Sequence, residues 1–161
     1  ELKKVKNDEM LKFLEDNHLM GIARGASSIG LYLQNELVCL LTYRVLGGSS
    51  IDVVRFCNKI NYTIVGGLSK LLNYIKKEIK PSSIQSFVDM RYGNGDSLKK
   101  LRFQLNEIQS SWKWTDQFKT YNRLACRANM DNRGLSEAQH AEELGWYKIH
   151  DAGQAKFILK L

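Results

Sequence analysis

Apolar residues recur along this chain in two rhythms, and the switches between them lay out its elements. Asn7, Asp8 and Glu9 precede Met10, Leu11, Phe13 and Leu14, which predicts an amphipathic helix to about Asn17 with a cap and acids at its positive dipole end. Two strand-like runs, Ile29 to Leu33 and Leu37 to Tyr43, flank Gln34-Asn35-Glu36, a connection short enough for a hairpin. A valine-rich run from Ile51 to Cys57 follows Gly47-Gly48-Ser49-Ser50, and the three runs together read as an antiparallel meander. The rhythm turns helical at Gly66-Gly67, where Leu68, Leu71, Leu72 and Ile75 mark one face of a helix that Pro81 stops. A strand from Ile84 to Asp89 then completes a right-handed β-loop-α-β unit whose two strands are expected to splay at their ends. The loop Tyr92-Gly93-Asn94-Gly95, a short helix through Leu101 and a strand from Phe103 to about Ile108 repeat the idea on a smaller scale.

Beyond Ile108 the pattern is less regular. Trp112, Trp114, Phe118 and Tyr121 stand in strand-like surroundings, with Lys113, Lys119, Arg123 and Arg127 between them. Alternating aromatics are core residues first, although basic neighbours would also let them stack on bases beside phosphate contacts. Ser136 and Gln139 make a capping-box pattern for a short helix ending before Gly145, and Trp146 to Ile149 with Lys156 to Leu159 are expected to form a closing hairpin.

Composition turns these elements into one mixed α/β domain. The 161 residues are 43% hydrophobic and 10% aromatic with a single proline, which excludes disordered and collagen-like chains. The expectation is one domain over residues 1–161, and the first residue, Glu1, reads as the start of either a processed chain or a piece of a larger protein. No apolar run reaches the length of a membrane span, so a cytoplasmic protein without a membrane partner is expected. Cys39, Cys57 and Cys126 are odd in number and widely spaced, which reads as buried free thiols, and no CxxC pair or Cys/His cluster points to a metal. Lys and Arg number 24 against 17 acids, and the net charge of +7 favours a polyanion, nucleic acid first, with solubility as the plain alternative.

The first candidate for chemistry is the glycine pair. Backbone amides of Gly66, Gly67, Leu68 and Ser69 at a helix start can hold a phosphate, while the same glycines can simply permit a tight turn. Neither a Walker loop nor a dinucleotide fingerprint is present.

The order of helix, hairpin, long strand, glycine-opened helix, strand and Asn-containing loop resembles the GCN5-related (GNAT) acetyltransferases. The segments Phe13 to Gly21, Arg55 to Asn61, Val65 to Leu72, Asp89 to Gly95, Tyr121-Asn122-Arg123 and Gly145 to Gly153 resemble, more specifically, the acetyltransferase-like domain of phage homing endonucleases. A more distant similarity is to phage adenine-modifying enzymes of the Mom type. The resemblance implies an α+β fold with a splayed, mostly antiparallel central sheet. It implies an acetyl-CoA or other acyl-CoA pyrophosphate on Val65, Gly66, Gly67, Leu68 and Ser69, with Asn94 beside the thioester. Asn94 and Phe103 match the family's later segment, whereas Leu98 stands where the family often has the tyrosine that protonates the departing thiolate, and Arg102 where it has glycine.

From the Mom-type comparison come His18 and Asp89, which would orient a base, act as general acid/base or share a metal ion, or else serve as a helix cap and a loop anchor. Candidate DNA contacts are Arg55, Lys59, Lys70 and Arg91, with Arg123 from the aromatic segment. The functional expectation is therefore a DNA-binding acetyltransferase-like module of a phage or mobile-element protein, any nuclease domain lying elsewhere in that protein. The alternative is an acyl-CoA-dependent transferase, with a DNA adenine modifier of the Mom type as one form of it, and under either reading the expected location is the cytoplasm of an infected bacterial host cell.

Overall fold

The computed structural model describes residues 1–122, 125–128 and 134–161. The chain forms two compact units, one of Glu1–Phe87, Gly95–Asn106 and Lys156–Leu161, the other of Val88–Asn94 and Glu107–Ala155.

The first unit begins with strand β1 (Leu2–Lys4) and helix α1 (Asn7–Asn17), whose buried Met10, Phe13 and Leu14 form the predicted face. The cap differs from expectation: Asn7 is already helical, and Lys6 takes the cap position with no side-chain hydrogen bond. Strands β2 (Ser27–Leu33) and β3 (Glu36–Leu46) meet through Gln34 and Asn35, both at positive φ, the backbone twist that suits a two-residue hairpin. Strand β4 (Ser50–Asn58) completes the predicted meander. Helix α2 (Gly67–Ile79) buries Leu71, Leu72 and Ile75, and ends where Lys80 turns left-handed ahead of Pro81. Strand β5 (Ser83–Asp89) lies parallel to β4, as a crossover helix requires. After helix α3 (Asp96–Lys100) come β6 (Gln104–Gln109) and, from the end of the chain, β10 (Gln154–Lys160). The sheet order is β1-β2-β3-β4-β5-β10-β6.

Side-chain alternation on β3 assigns the two helices to opposite faces. Leu40 packs with Phe13 and Leu14 of α1, whereas its neighbour Cys39 lies under Gly67 at the start of α2.

The second unit has its own three-stranded sheet, ordered β8-β7-β9, from β7 (Trp112–Thr115), β8 (Thr120–Tyr121) and β9 (Tyr147–His150). Helices α4 (Ala125–Ala128) and α5 (Glu137–Glu143) accompany it, and the predicted Ser136/Gln139 capping box starts α5. Its small core is Trp114, Cys126 and Ala141, with Trp112, Tyr121 and Trp146 packed around it.

Two expectations about pairing need correction. The Trp146–Ile149 and Lys156–Leu159 segments do not form a hairpin: β9 pairs with β7, and β10 lies between β5 and β6. Every residue of β9 is exposed, so it offers nothing to cover the buried Ala155, Phe157 and Leu159 of β10. For the same reason β5 and β6 are not neighbours, and the smaller β-α-β repeat is interrupted by a strand from the far end of the chain.

Candidate functional site

The β4–β5 ladder is short. It runs from Ser50↔Ser83 to Val53↔Ser86, while β4 continues to Asn58. The break coincides with a bulge against β3, where Thr42 pairs with Arg55 and Tyr43 with Val53, leaving Val54 extra. A bulge bends and over-twists its strand, which is the physical reason for β4 to leave the ladder there. The predicted splay is thus present on the β4 side, and the backbone edge of Val54 to Asn58 lies outside the β4–β5 register.

That strand feeds the loop to α2. Gly66 takes the cap position at φ 71°, with nothing within 4 Å of where a Cβ would stand. Gly67 has a different reason to be glycine: a Cβ there would meet Cys39 Sγ and Ile64 Cγ2 at 3.1 Å, so it packs against the core and does not face the loop mouth. The Gly67 N–H donates to Ile64 O (3.1 Å) and the Lys70 N–H to Gly66 O (2.9 Å). Between them the Leu68 and Ser69 amides have no acceptor among the described residues, and no side chain caps the helix. Two aligned, uncapped amides at the positive end of a 13-residue helix form a fitting cradle for a phosphate group. Val65 beside them is 94% exposed.

His18 is the C-cap of α1, the helix on the opposite face of the sheet. Its N–H donates to Leu14 O (2.9 Å), and its Nδ1 accepts from the Met20 N–H (3.0 Å). Burial, and then the charge of Arg55, hold its imidazole below the usual value of 6.5. It is neutral at pH 7 with the proton on Nε2, so it can donate from that nitrogen but has no lone pair there to take a proton. The adjacent Asn17 ties the end of α1 to the chain just beyond β4: Oδ1 accepts from the Ile60 N–H (2.8 Å), while Nδ2 donates to Phe13 O one turn back in the helix (2.8 Å).

Asp89, Arg91 and Asn94 belong to the second unit, and His18 to the first. Asp89 Oδ1 accepts from the Arg91 amide (3.0 Å) and Nε (2.9 Å), and Oδ2 from Nη2 (2.5 Å). Those bonds to Arg91 hold its carboxyl below the usual value of 3.8. Arg91 also lies 3.9 Å from Asp151 Oδ2, and Asp151 in turn accepts from Ser111 Oγ (3.0 Å) and the Gly153 amide (2.8 Å). Asp89 therefore has the geometry of an anchor. Of the candidate DNA contacts, Lys59 is ion-paired with Glu36, Arg55 is half-buried and Lys70 is exposed, while Arg123 lies outside the described residues. Leu98 is buried and cannot serve as a proton donor. Sequence reasoning missed the orphaned polar atoms of β3 and β4: Thr42 Oγ1, Arg55 Nε and Asn58 Oδ1 are buried without a partner. No sequence pattern marks them, because an orphaned polar atom follows from the folded packing of its neighbours and not from the local residue order.

No protein-family model and no curated protein matches the sequence. Solved structures do match its shape. An acetyltransferase of Bacillus subtilis in complex with CoA superposes with a TM-score of 0.59 at 16% identity, over 100% of this chain and 97% of that one. The ribosomal-protein-S18-alanine N-acetyltransferase of Escherichia coli gives 0.63 at 8% identity, over 99% and 92%. A putative streptothricin acetyltransferase of Bacillus anthracis in complex with acetyl coenzyme A gives 0.60 at 8%, over 100% and 99%. With its parallel β4–β5 pair opening beside an uncapped helix start, the chain has the GNAT acetyltransferase fold.

Proposed function

We propose that the chain is an acyl-CoA-dependent acyltransferase whose donor site lies in the first unit. The observation that carries this reading is a single stretch of chain: β4 leaves its ladder after Val53, continues to Asn58, and feeds a helix whose Leu68 and Ser69 amides are uncapped. Those amides would hold the donor's pyrophosphate, and the β4 edge would pair with the amide groups of its arm. Structures of the same fold with CoA or acetyl-CoA bound support the reading. Bound acyl-CoA supplies an activated thioester carbonyl. The chain's own part is to hold the donor, orient an acceptor and manage a proton, for which His18 offers a hydrogen-bond donor at Nε2.

Ser69→Asp tests this directly. An acid in the first turn suits the helix dipole, so melting should be unchanged or slightly raised, while repulsion should weaken acetyl-CoA binding about tenfold or more in calorimetry. A wild-type protein that does not bind acetyl-CoA would refute the reading.

A second reading has one observation in its favour. The first unit carries 17 Lys and Arg against 9 Asp and Glu, and Lys70 and Lys77 on α2, with Lys80 just after it, are all exposed. Such a surface suits phosphate contacts, as expected of a DNA-binding module or of a transferase acting on DNA within a mobile-element protein. Affinity for a DNA duplex should then fall steeply with salt, and absence of binding at low ionic strength removes this reading while leaving the first intact.

A further inference from the structure

We propose that the α1 face of the first unit's sheet holds a small oxyanion, a carboxylate or a phosphate group, at a site centred on Arg55 with Thr42 and His18. The proposal rests on the acyltransferase reading for one point only, namely that the oxyanion belongs to the acyl acceptor.

The placement follows from register. Thr42 lies directly across from Arg55 and two residues from Leu40, which packs on α1, so both side chains are on the α1 face. His18 follows the end of α1, next to Asn17, whose Oδ1 accepts from the Ile60 N–H just beyond β4, and burial, then the charge of Arg55, lower the His18 imidazole pKa.

What this group lacks is a negative charge. Arg55 has five N–H donors, of which Nη1 donates to Val54 O (2.9 Å), while Nε is buried without any acceptor. Its guanidinium is half-buried and forms no ion pair among the described residues. A second guanidinium, Arg44, adds to the positive field and spends one donor on Arg24 O (2.9 Å). The nearest acid by register is Asp52, opposite Arg44, and its Oδ1 accepts from Gln85 Nε2 (3.3 Å) with no ion pair to either arginine. Thr42, 0% exposed, has an Oγ1 with no partner. A water molecule could satisfy that hydroxyl, but it would leave a partly desolvated cation uncompensated, which is the costly condition. An oxyanion would meet every demand at once: it accepts from Arg55 Nε, from Thr42 Oγ1 and from the Nε2–H of a neutral His18. A half-buried guanidinium favours a compact group over a flat polyanion.

The test uses the intact protein. Arg55 Nε–H is followed by NMR while sodium phosphate or sodium acetate replaces sodium chloride at constant ionic strength. A saturable shift of that signal is expected with one of the two anions, phosphate marking a phosphorylated ligand and acetate a carboxylated one. Arg55→Gln should weaken the same anion about tenfold or more, read at the His18 ring signals. No saturable shift with either anion, or a shift with a DNA duplex alone, overturns the site. Acetyl-CoA calorimetry is run in parallel on both proteins. If acetyl-CoA does not bind, the acyltransferase reading fails and the anion site stands without an acceptor. If Arg55→Gln weakens acetyl-CoA as much as it weakens the anion, the oxyanion is the donor's and the acceptor assignment is overturned.

Discussion

The two units differ most in where their cations go. The first holds 17 Lys and Arg against 9 acids, the second 7 against 8, so the chain's entire positive surplus belongs to the first. In the second, Arg91 is bound to Asp89, and Lys148 lies 4.2 Å from the Trp112 ring centroid and 5.5 Å from that of Trp114. Its aromatics are likewise engaged with one another: Trp112 meets Trp114 edge-on at 5.0 Å, and Tyr121 stacks on Trp146 at 4.1 Å. Here the aromatics make a small core, with Lys148 over two of their rings and Arg91 ion-paired. In the first unit the core is mostly aliphatic, with Phe13, Phe103 and Phe157 among its aromatics, and Arg55 and the α2 lysines form no ion pair among the described residues.

The largest expected effects test whether the two cores stand separately. Leu41, at 0% exposure in the first unit, should cost about 2–5 kcal/mol on truncation to Ala, and Trp114 in the second about 3–5 kcal/mol. All three tryptophans lie in the second unit, so their fluorescence reports that unit alone, whereas far-ultraviolet dichroism reports both. Trp114→Ala should bring the fluorescence transition in denaturant ahead of the dichroism transition and spare acetyl-CoA binding. Leu41→Ala should reduce both binding and stability. Coincident transitions in Trp114→Ala would merge the two units into one cooperative body.

The same contrast explains what could be read from the sequence. Elements of the first unit carry long, clean periods: the Leu68-Leu71-Leu72-Ile75 face and the Ile51 to Cys57 run were recognisable because burial and repeat agree. The glycine turn was recognisable too, but not the division of labour within it, since only the packing of Cys39 and Ile64 shows that Gly67 serves the core and Gly66 the turn. In the second unit the strands are two to four residues long and β9 is wholly exposed, so hydrophobic alternation has little to act on. The insertion of β10 between β5 and β6 is a long-range pairing that no local pattern encodes. His18 and Asp89 were visible as residue types, while their roles depend on a backbone N–H at Nδ1 and a guanidinium at the carboxylate.

A middle-sized effect should come from the thiols. Burial pushes the Cys39 thiol from 9.0 to about 12 and the Cys57 thiol to about 11. A thiol is charged only when it loses its proton, so the folded state keeps these protons longer than the unfolded chain does. The resulting stability is complete below the unfolded pKa and is lost as pH rises from about 9 toward the folded values, at about 1.4 kcal/mol per unit for each group. The first unit should therefore weaken steeply above about pH 9. Cys57→Ala should make that alkaline decline shallower, as measured by denaturant melts at a series of pH values. A decline that keeps its slope in the variant would assign it to other groups.

The smallest effect is expected at Asp89, and it decides what that residue is for. Its folded carboxyl lies below the usual 3.8 because Arg91 holds it, so its contribution to stability is present above the unfolded pKa and disappears as pH falls through the folded one. Asp89→Asn should lower the melting temperature slightly at neutral pH, and the difference should vanish in acid, where the wild-type carboxyl is also neutral. If Asp89 only anchors the loop, turnover in the variant should fall modestly with an unchanged pH profile, because the reacting proton never passes through it. If it is an acid or base, one limb of that profile should disappear and the loss should reach the hundredfold range typical of a removed proton-transfer group. The fully occupied carboxylate, with both oxygens accepting from Arg91 and Oδ1 also from the Arg91 amide, favours the first outcome. An intact profile would then leave acceptor positioning and proton handling to the first unit, where the uncompensated Arg55 and the neutral His18 lie.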